Sequence, residues 1–339
     1  MRVAITGANG YLGAHCTSAI VTAGHSVRVL VHPGDPSTAP LEALGVELDP
    51  ADVVVGDVCD PDSVARLLDG CDAVLHAAGI VGVDDRDEAL MWQVNVQGTA
   101  TVLAAAVARR LDPIIHVASY SALFPSPDGV ISPDSPSAPG RSAYGRTKSV
   151  ADRIARGFQA AGAPVVVTYP SSVVGPPAGD RRGVTADGWA PLLRYGVSVS
   201  FQGGMSMIDV RDVADLHVAL LEPGQGPRRV VCGGQEMPFD EVLDALELGL
   251  GRPIRRVRTA PRLLRGIGRL CDVAARLSPI PPGFSYEAAW LLTSAQPCDD
   301  RVALDLLGRP WRSVPDALTH SVRPDPPVTP IPTALESHR

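Results

Sequence analysis

The sequence contains no long hydrophobic run, no closely paired cysteines and no basic segment interleaved with aromatic residues. No apolar stretch approaches the ~20 residues that a membrane-spanning helix needs, and a strand pattern starts one residue after Met1, without a charged and then apolar leader. The six cysteines form no Cys-x-x-Cys pair, which favours buried, reduced thiols over metal ligands or disulfides. We therefore expect a cytoplasmic protein that has no integral membrane segment and binds no metal.

The charge balance also limits the partners. The 339 residues have a formal net charge of −7, whereas general nucleic-acid binding depends on neutralising phosphates with basic side chains. We expect no nucleic-acid partner. With 45% hydrophobic and 20% charged residues, the chain can bury a sizeable core. Its length favours one large domain with a smaller region attached.

Short β-branched runs alternate with amphipathic segments along the first half of the chain. Strands are predicted at RVAIT, SVRVLV, ADVVVGD, DAVLHAA, PIIHVAS and PVVVTYP, and helices at 11–23, 61–68, 87–109 and 143–161. This alternation is typical of a parallel sheet covered by helices on both faces. The predicted fold class is α/β, with a doubly wound parallel sheet.

Three glycines stand between the first predicted strand and the first predicted helix, in TGANGYLG. Glycine in a helix start costs roughly 1 kcal/mol relative to alanine, so three of them need a reason. A tight turn with close packing is one. A G-x-x-G-x-x-G turn between a strand and a helix is also typical of dinucleotide binding, because it brings backbone N–H groups to a pyrophosphate at the positive end of the helix. We therefore predict a Rossmann-type domain whose dinucleotide contacts are Gly7, Asn9, Gly10, Tyr11, Leu12 and Gly13.

Two later strand ends agree with a bound dinucleotide. GDVCD places Asp57 and Val58 after a strand, where a carboxylate can accept a hydrogen bond from an adenine amino group. A helix cap is the alternative role for Asp57. LHAAG ends another strand with the small residues Ala77, Ala78 and Gly79, which either leave room for a cofactor or pack tightly.

The end of the second predicted strand bears on the choice of dinucleotide. An acid there binds the 2′-OH of NAD, whereas the 2′-phosphate of NADP requires a cation. The strand ends in LVHP, and the first acid after it, Asp35, lies beyond the proline. NADP is therefore favoured, with His32 and Arg28 near the phosphate. NAD remains an alternative cofactor, and a plain turn remains an alternative role for His32.

A tyrosine and a lysine supply candidate proton chemistry. SAYGRTKSVAD contains Tyr144 and Lys148, whose i, i+4 spacing puts both on one helix face. A nearby ammonium and a positive nicotinamide ring would favour the phenolate and bring the phenol toward its working pH. HVASYSALF ends a strand with Ser119 and Ser121, whose hydroxyls can hold a substrate oxygen as charge develops on it. The alternative is that both serines bond to nearby backbone groups.

Together these segments resemble the extended short-chain dehydrogenase/reductase family. TGANGYLG, HAAG, NVQGT, YGRTK, YPSSVVGP and MIDVRDVAD occur in the family's order over roughly residues 1–221. The resemblance implies that Ser119 positions the substrate carbonyl, that Tyr144 is the general acid/base, and that Lys148 lowers the tyrosine pKa and holds the ribose.

The same resemblance implies roles for residues outside those motifs. Asn95 would support the proton relay, Pro170 and Val173 would meet the nicotinamide carboxamide, and the protein would form a homodimer. Many family members carry two serines at the strand end. Here Ala118 precedes the single serine, which leaves Ser121 as a second substrate contact.

Within that family the sequence is most similar to the dihydroflavonol reductase and 3β-hydroxysteroid dehydrogenase branch, a similarity that includes the segment GFSYEAAWLLTSAQPCDDRVALDLLG. This implies reversible reduction of a ketone or aldehyde of a small organic molecule. A nucleotide-sugar epimerase or dehydratase with tightly bound NAD is one alternative, for which Arg181, Arg182 and Arg194 could bind a substrate pyrophosphate. A non-catalytic NADP-binding regulatory protein is another.

The domain organisation follows from these assignments. Residues 1–175 form the predicted dinucleotide-binding domain, whose sheet the segment 200–232 could complete. Residues 176–322 form a mainly helical substrate lobe, and the Pro-rich segment 323–339 is expected to be disordered. Arginines interleave with leucines in a predicted helix over 261–277, for which a lid is favoured and a membrane-surface helix is the alternative.

Overall fold

The computed structural model describes residues 1–82, 87–275 and 286–322. Within them the strands are, in chain order, β1 (Arg2–Thr6), β2 (Ser26–Val31), β3 (Val53–Val55), β4 (Ala73–His76), β5 (Ile114–Val117), β6 (Val165–Pro170), β7 (Ser172–Val174), β8 (Val197–Ser200), β9 (Gly204–Asp209), β10 (Arg228–Cys232), β11 (Gln235–Pro238) and β12 (Arg255–Arg258).

The helices pack around these strands. In chain order they are α1 (Tyr11–Thr22), α2 (Ala39–Glu42), α3 (Pro61–Leu68), α4 (Glu88–Met91), α5 (Thr99–Ala108), α6 (Ala143–Ala160), α7 (Val184–Gly188), α8 (Ala190–Tyr195), α9 (Val210–Ala219), α10 (Phe239–Leu250), α11 (Pro261–Ala275), α12 (Tyr286–Thr293), α13 (Arg301–Leu307) and α14 (Val314–Val322). A π-helical turn over Trp92–Gly98 joins α4 to α5, so the helix predicted over 87–109 contains one widened turn.

Seven parallel strands form the central sheet, in the order β10-β6-β5-β4-β1-β2-β3. The chain moves outward from β1 to β2 and β3 and then returns to β4 on the other side of β1. The strand order therefore reverses between β1 and β4. Ligands of open α/β sheets bind in the crevice that this reversal creates at the carboxyl ends of the strands. The doubly wound parallel sheet predicted from the sequence is confirmed.

The strands are apolar on both faces because each face supports its own core. In β1, Val3 and Ile5 belong to the core that α1 and α9 cover, whereas Ala4 belongs to the core that α3, α5 and α6 cover. All three are fully buried. Since successive side chains of a strand point to opposite faces, the unbroken apolar run RVAIT fits a strand in the middle of a covered sheet.

The later part of the chain completes this sheet and builds a second region. The predicted segment 200–232 contributes β10 to the central sheet, but its β9 joins β7 and β11 in a separate three-stranded sheet. Strands β8 and β12 form a further pair. A third core, which includes Trp189, Phe201 and Phe239, lies among these strands and α8, α10 and α14.

The helix predicted over 261–277 corresponds to α11, which ends at Ala275, and it packs against α12. Leu264 faces inward and is fully buried, whereas Leu263 and Leu270 are 59% and 71% exposed. Lid and membrane-surface roles for this helix stay predictions. Residues 276–277 and the tail 323–339 lie outside the described residues. Among the described helices, none is long and apolar enough to cross a membrane.

All six cysteines are free thiols, although only three are buried as the composition led us to expect. Cys16, Cys71 and Cys232 are buried, and the other three are partly exposed.

Candidate active site

In the glycine-rich turn after β1, close packing requires glycine at two of the three positions, and the third position has open space beside it. Gly7 has a φ of +70°, and a Cβ there would lie 2.7 Å from the backbone nitrogen of Ala78. A Cβ on Gly13 would lie 2.0 Å from the carbonyl oxygen of Gly7. A Cβ on Gly10 would meet only that oxygen, at 3.3 Å. The first and third glycines thus permit close approach of helix and strand, and the second leaves the surface of the turn clear.

The N-terminus of α1 offers hydrogen-bond donors at this turn. Gly10 is the N-cap residue, and no described side chain caps the helix. The first N–H groups of a helix have no partner inside the helix, and the helix dipole places partial positive charge beside them. The backbone N–H groups of Tyr11, Leu12 and Gly13 are therefore suited to a pyrophosphate.

The segment after β4 adjoins the turn and leaves space beside two polar side chains. Ala77 and Ala78 donate backbone hydrogen bonds to the Thr6 backbone and side-chain oxygens, each at 3.2 Å. A Cβ on Gly79 would lie 3.3 Å from Oδ1 of Asn95 and 3.4 Å from Nζ of Lys148. The absence of a side chain at Gly79 therefore keeps the approach to these two groups clear.

A cluster of three hydroxyls lies after β5 and at the start of α6. The backbone nitrogen and the Oγ of Ser121 both donate to Oγ of Ser119, at 3.2 and 3.0 Å. Both serines also hydrogen-bond to the half-buried Tyr144, and these bonds lower the pKa of its phenol. Burial is the larger effect and raises that pKa above its ordinary value. The structure thus brings the predicted Ser119, Ser121 and Tyr144 together with the phenol in its protonated form.

Lys148 is buried behind this cluster. Its Nζ donates to the carbonyl oxygen of Val117 at 3.3 Å and lies 6.0 Å from the centre of the Tyr144 ring. The side chain is 6% exposed, and burial lowers the pKa of its ammonium to about 8. The sequence led us to expect that this ammonium would bring the phenol toward its working pH. In the protein alone, desolvation of the phenol outweighs any such effect.

Asn95 occupies the π-helical turn and ties three segments together. Its Nδ2 donates to the Ile80 carbonyl oxygen at 2.9 Å and to Thr147 Oγ1 at 3.1 Å, and its Oδ1 accepts from the Ile80 nitrogen at 2.8 Å. The side chain therefore joins the loop after β4 to α6. A widened helical turn of this kind is frequent at functional sites.

A directed hydrogen-bond chain runs from the glycine-rich turn to Asn95 through the buried His76. Thr99 Oγ1 donates to the Asn95 carbonyl oxygen at 2.7 Å, so it must accept from His76 Nε2, 3.0 Å away. His76 Nδ1 then accepts from Thr6 Oγ1 at 2.7 Å, and that oxygen accepts from the Ala78 nitrogen. The chain holds the imidazole neutral with its proton on Nε2, and burial accordingly lowers the pKa of His76 to about 3.

The comparison with protein families agrees with this geometry. The model of the NAD dependent epimerase/dehydratase family matches residues 3–233. The chain belongs to this family. The match spans the glycine-rich turn, the hydroxyl cluster and every strand of the central sheet except the first residue of β1.

Curated relatives extend the likeness over most of the chain. Sterol demethylase protein B of Methylococcus capsulatus is 28% identical over 302 residues, which cover 87% of this chain and 89% of that protein. A putative dihydroflavonol 4-reductase of Synechocystis sp. is 26% identical over 327 residues, which cover 94% and 92%. The chain is thus an extended short-chain dehydrogenase/reductase and an NAD(P)-dependent oxidoreductase.

Solved structures show the same fold. The UDP-glucose 4-epimerase from Bifidobacterium longum, in complex with NAD+ and UDP, matches with a TM-score of 0.73 and 19% identity, covering 95% of this chain and 96% of that chain. The open turn at Gly10, the donors at the start of α1 and the space beside Gly79 fit the dinucleotide that the family uses.

Asp57 and Val58, which the sequence suggested for the dinucleotide, lie in the loop between β3 and α3. Asp57 accepts from the Cys59 nitrogen at 2.9 Å, and the cap of α3 is Asp60, so Asp57 does not take the capping role that the sequence left open. Val58 is 9% exposed and packs against Gly98 in the π-helical turn. Its backbone therefore lies beside the helix that carries Asn95.

Pro170 and Val173 flank the carboxyl end of β6. Pro170 is the last residue of β6 and pairs with Cys232 of β10, and Val173 pairs with Ile208 of β9. The loop between them is held by Ser171, whose hydroxyl donates to the Gly233 carbonyl oxygen at 2.7 Å. The contacts of Pro170 and Val173 with nicotinamide stay a prediction.

The tip of β2 differs from what the sequence suggested. Arg28 donates to the carbonyl oxygen of Asp69 at 3.0 Å, where α3 ends, so it lies at the opposite edge of the sheet from the strand tip. His32 is at the tip, and its Nδ1 accepts from the Gly34 nitrogen at 3.0 Å. Asn9 of the glycine-rich turn donates to the Asp35 carbonyl oxygen at 2.8 Å.

The arginines suggested for a substrate pyrophosphate have partners elsewhere. Arg181 forms an ion pair with Asp35, and Arg194 lies over the ring of Tyr195, 5.6 Å from its centre. Arg182 is exposed. The ion pair of Arg181 and the hydrogen bonds of His76 were not predicted from the sequence. The one available signal was a histidine at the end of an otherwise apolar strand, in LHAAG.

Proposed function

We propose that this protein reduces the carbonyl group of an apolar small molecule to an alcohol, reversibly and with NADPH as the favoured cofactor. The observation that carries the proposal is the cluster of Ser119, Ser121 and Tyr144 beside the buried Lys148. This cluster lies at the carboxyl edge of the sheet, where the glycine-rich turn provides the dinucleotide site.

The cofactor would be held by this chain's backbone and by Lys148. The N–H groups of Tyr11, Leu12 and Gly13 suit its pyrophosphate, and the ammonium of Lys148 suits its ribose hydroxyls. A bound nicotinamide supplies the hydride that reduces the carbonyl carbon.

The hydroxyl cluster supports the proton chemistry. Ser119 Oγ accepts twice from Ser121, so its bond to Tyr144 uses its own proton, and a bound substrate carbonyl oxygen would take over this proton from the phenol oxygen. Tyr144 Oη then gives its proton to the same oxygen as negative charge develops there. Because burial raises the pKa of Tyr144, the phenol starts protonated, as a proton donor must. The ammonium of Lys148 stabilises the phenolate that remains.

The names of two relatives favour an apolar substrate, and a buried aromatic group packs behind the hydroxyl cluster. Tyr120 directly follows Ser119, and the centre of its ring lies 6.4 Å from that of Phe124, which lies 4.7 Å from that of Trp290 in α12. The names of two relatives described above refer to a sterol and to a dihydroflavonol, which are both polycyclic. We therefore propose a polycyclic ketone as the substrate class to test first.

The proposal is tested by turnover with added carbonyl compounds. The purified protein is mixed with NADPH or NADH and a panel of polycyclic, aromatic and aliphatic ketones and aldehydes, and nicotinamide absorbance is followed. We expect NADPH consumption with at least one polycyclic ketone, and consumption at least about 100-fold slower with Tyr144→Phe. Tightly retained NAD, no consumption of added cofactor and interconversion of UDP-sugars would instead favour an epimerase.

Two further points, the oligomeric state and the cellular location, belong to the same proposal. We propose that the protein acts as a homodimer in the cytoplasm. Sedimentation analysis of the purified protein and fractionation of the producing cells test these two points separately.

A further inference from the structure

Asp35 and Arg181 form an ion pair although 146 residues separate them in the sequence. Nη2 of the guanidinium donates to Oδ2 of the carboxylate. Asp35 is 46% and Arg181 is 35% exposed at the side chain, so a ligand in the crevice can reach both. No role in the reaction proposed above requires this pair.

The position of Asp35 is set by the tip of β2 and the glycine-rich turn. Its backbone nitrogen donates to the His32 carbonyl oxygen at 2.9 Å, which closes a tight turn just beyond the strand. The Asn9 side chain binds its carbonyl oxygen at 2.8 Å. Asp35 is therefore held between the strand tip and the pyrophosphate turn, which is where the adenosine ribose of a dinucleotide lies in this fold.

Arg181 is also held in place. Its backbone nitrogen and oxygen exchange hydrogen bonds of 3.0 Å with Ala178, which is fully buried against the core of the central sheet. Shortly after it, Gly183 packs on the ring of Tyr11, since a Cβ there would lie 2.7 Å from Tyr11 Cε1. The segment that carries Arg181 thus lies over the start of α1 and beside the dinucleotide site.

His32 has only one ring nitrogen free to face a ligand. Its Nδ1 accepts a hydrogen bond from the Gly34 nitrogen inside the turn, which leaves Nε2 for a contact with the dinucleotide. The guanidinium that pairs with Asp35 brings a permanent positive charge to this turn. Arg28 faces the opposite edge of the sheet.

Arg181 has donors to spare for a second anion. A guanidinium carries five N–H donors, and the bond to Asp35 uses Nη2. Its Nε is buried, has no hydrogen-bond partner within the described part of the chain and lies 3.7 Å from Oδ1 of Asp180, so the donors that remain for a ligand are those of the two Nη groups. The planar fork of an arginine is suited to bind a carboxylate and a phosphate at the same time.

We propose that Arg181 binds the 2′-phosphate of NADP and, by pairing with Asp35, prevents that carboxylate from selecting NAD. This proposal deepens the cofactor preference of the function proposed above and rests on it. An unpaired Asp35 would repel a 2′-phosphate and accept a hydrogen bond from a 2′-OH. The cofactor preference is then set by the pair and not by the strand-end residue alone.

Binding titrations test the pair without any catalytic step. NADPH, NADH, 2′,5′-ADP and 5′-AMP are titrated into the wild type, Arg181→Ala, Asp35→Asn and the double variant, by calorimetry. For Arg181→Ala we expect NADPH and 2′,5′-ADP to bind at least about 10-fold more weakly, the size expected for a lost charge-assisted hydrogen bond. NADH and 5′-AMP should bind equally well or more tightly, so the preference inverts.

The other two variants separate attraction from repulsion. Asp35→Asn should raise the ratio of NADPH to NADH affinity above that of the wild type, because the cation is then released from its partner. The double variant should bind the two cofactors with similar affinity, since neither charge remains. Arg181→Lys should keep part of the NADPH preference because the positive charge is kept.

Arg182→Ala is the matched control, because it removes a neighbouring exposed arginine. It should leave the affinity ratio within about 2-fold of the wild type. The proposal is overturned if Arg181→Ala keeps the wild-type ratio, or if it weakens all four ligands equally, which would assign Arg181 to the pyrophosphate or to loop folding. These outcomes leave the carbonyl reduction itself untouched, since that is measured by turnover.

Discussion

The Nζ of Lys148 lies 6.0 Å from the centre of the Tyr144 ring and is bound to the carbonyl oxygen of Val117. Both side chains are on α6, one turn apart. Burial raises the pKa of the phenol and lowers that of the ammonium. Before cofactor or substrate binds, Tyr144 is therefore a neutral phenol. Burial disfavours the charged form of Lys148 beside it.

Replacement of Tyr144 tests the proton donor. Tyr144→Phe removes one oxygen and keeps the ring, so cofactor affinity and melting temperature should stay near wild type. Turnover of an accepted ketone should fall by at least about 100-fold, the lower end of general acid/base contributions. Steady-state rates measure this, with Tyr195→Phe as a control because that tyrosine is 70% exposed. Turnover near that of the wild type would favour the non-catalytic binding protein.

The pKa of Lys148 predicts a pH dependence. Since burial lowers this pKa to about 8, the ammonium is lost as the pH rises through that value. The kcat/KM for carbonyl reduction by the protein should therefore fall above about pH 8. Lys148→Arg keeps the charge at all these pH values and should shift or abolish this limb of the profile. Lys148→Ala should lower both turnover and cofactor affinity. An unchanged profile in Lys148→Arg would assign the limb to another group.

Two alanine substitutions in the glycine-rich turn should affect different properties, dinucleotide binding in one case and stability in the other. Gly10 has φ −81° and ψ 167°, which alanine adopts without strain, and its Cβ would meet only one oxygen at 3.3 Å. Gly10→Ala should fold like the wild type but bind dinucleotide at least about 10-fold more weakly, since its methyl group lies where a pyrophosphate approaches.

Gly13→Ala is the contrasting variant. Its Cβ would lie 2.0 Å from a backbone oxygen, so the helix must move away from the strand. We expect a lower melting temperature or insoluble protein. Thermal unfolding and cofactor titration on the two variants distinguish these effects. Equal losses of stability would contradict the assignment of Gly10 to the ligand.

Buried His76 should make stability depend on pH. Its pKa is about 3 in the folded protein, below the ordinary value of 6.5, so the unfolded chain binds a proton more readily. The free energy of unfolding should therefore fall as the pH is lowered from 6.5 toward 3. Each such histidine contributes up to about 1.4 kcal/mol per pH unit.

Urea unfolding of the wild type and His76→Gln at several pH values checks this contribution. The glutamine amide does not titrate, so the variant should show a shallower decline with falling pH, although it is less stable at neutral pH. His320→Gln is the control because His320 is exposed. Identical slopes in the wild type and His76→Gln would show that His76 does not supply the proton linkage.

The sequence by itself determined the elements whose signal is local. The turn TGANGYLG, the apolar strands and the i, i+4 pair of Tyr144 and Lys148 depend on residues a few positions apart. The fold class and the family that these elements predicted for the chain are confirmed. Unbroken apolar runs indicate strands that are buried on both faces, and a period of 3.6 indicates amphipathic helices. Their alternation along the chain predicts a doubly wound parallel sheet.

Only the tertiary structure decided which distant groups meet. It joined β10 to β6, paired Arg181 with Asp35 across 146 residues, and connected Thr6 to Asn95 through His76. It also showed that burial, and not the neighbouring lysine, dominates the pKa of Tyr144. Ion pairing and desolvation depend on distances in space and on the packing around each group, and neither can be read from the spacing of residues along the chain.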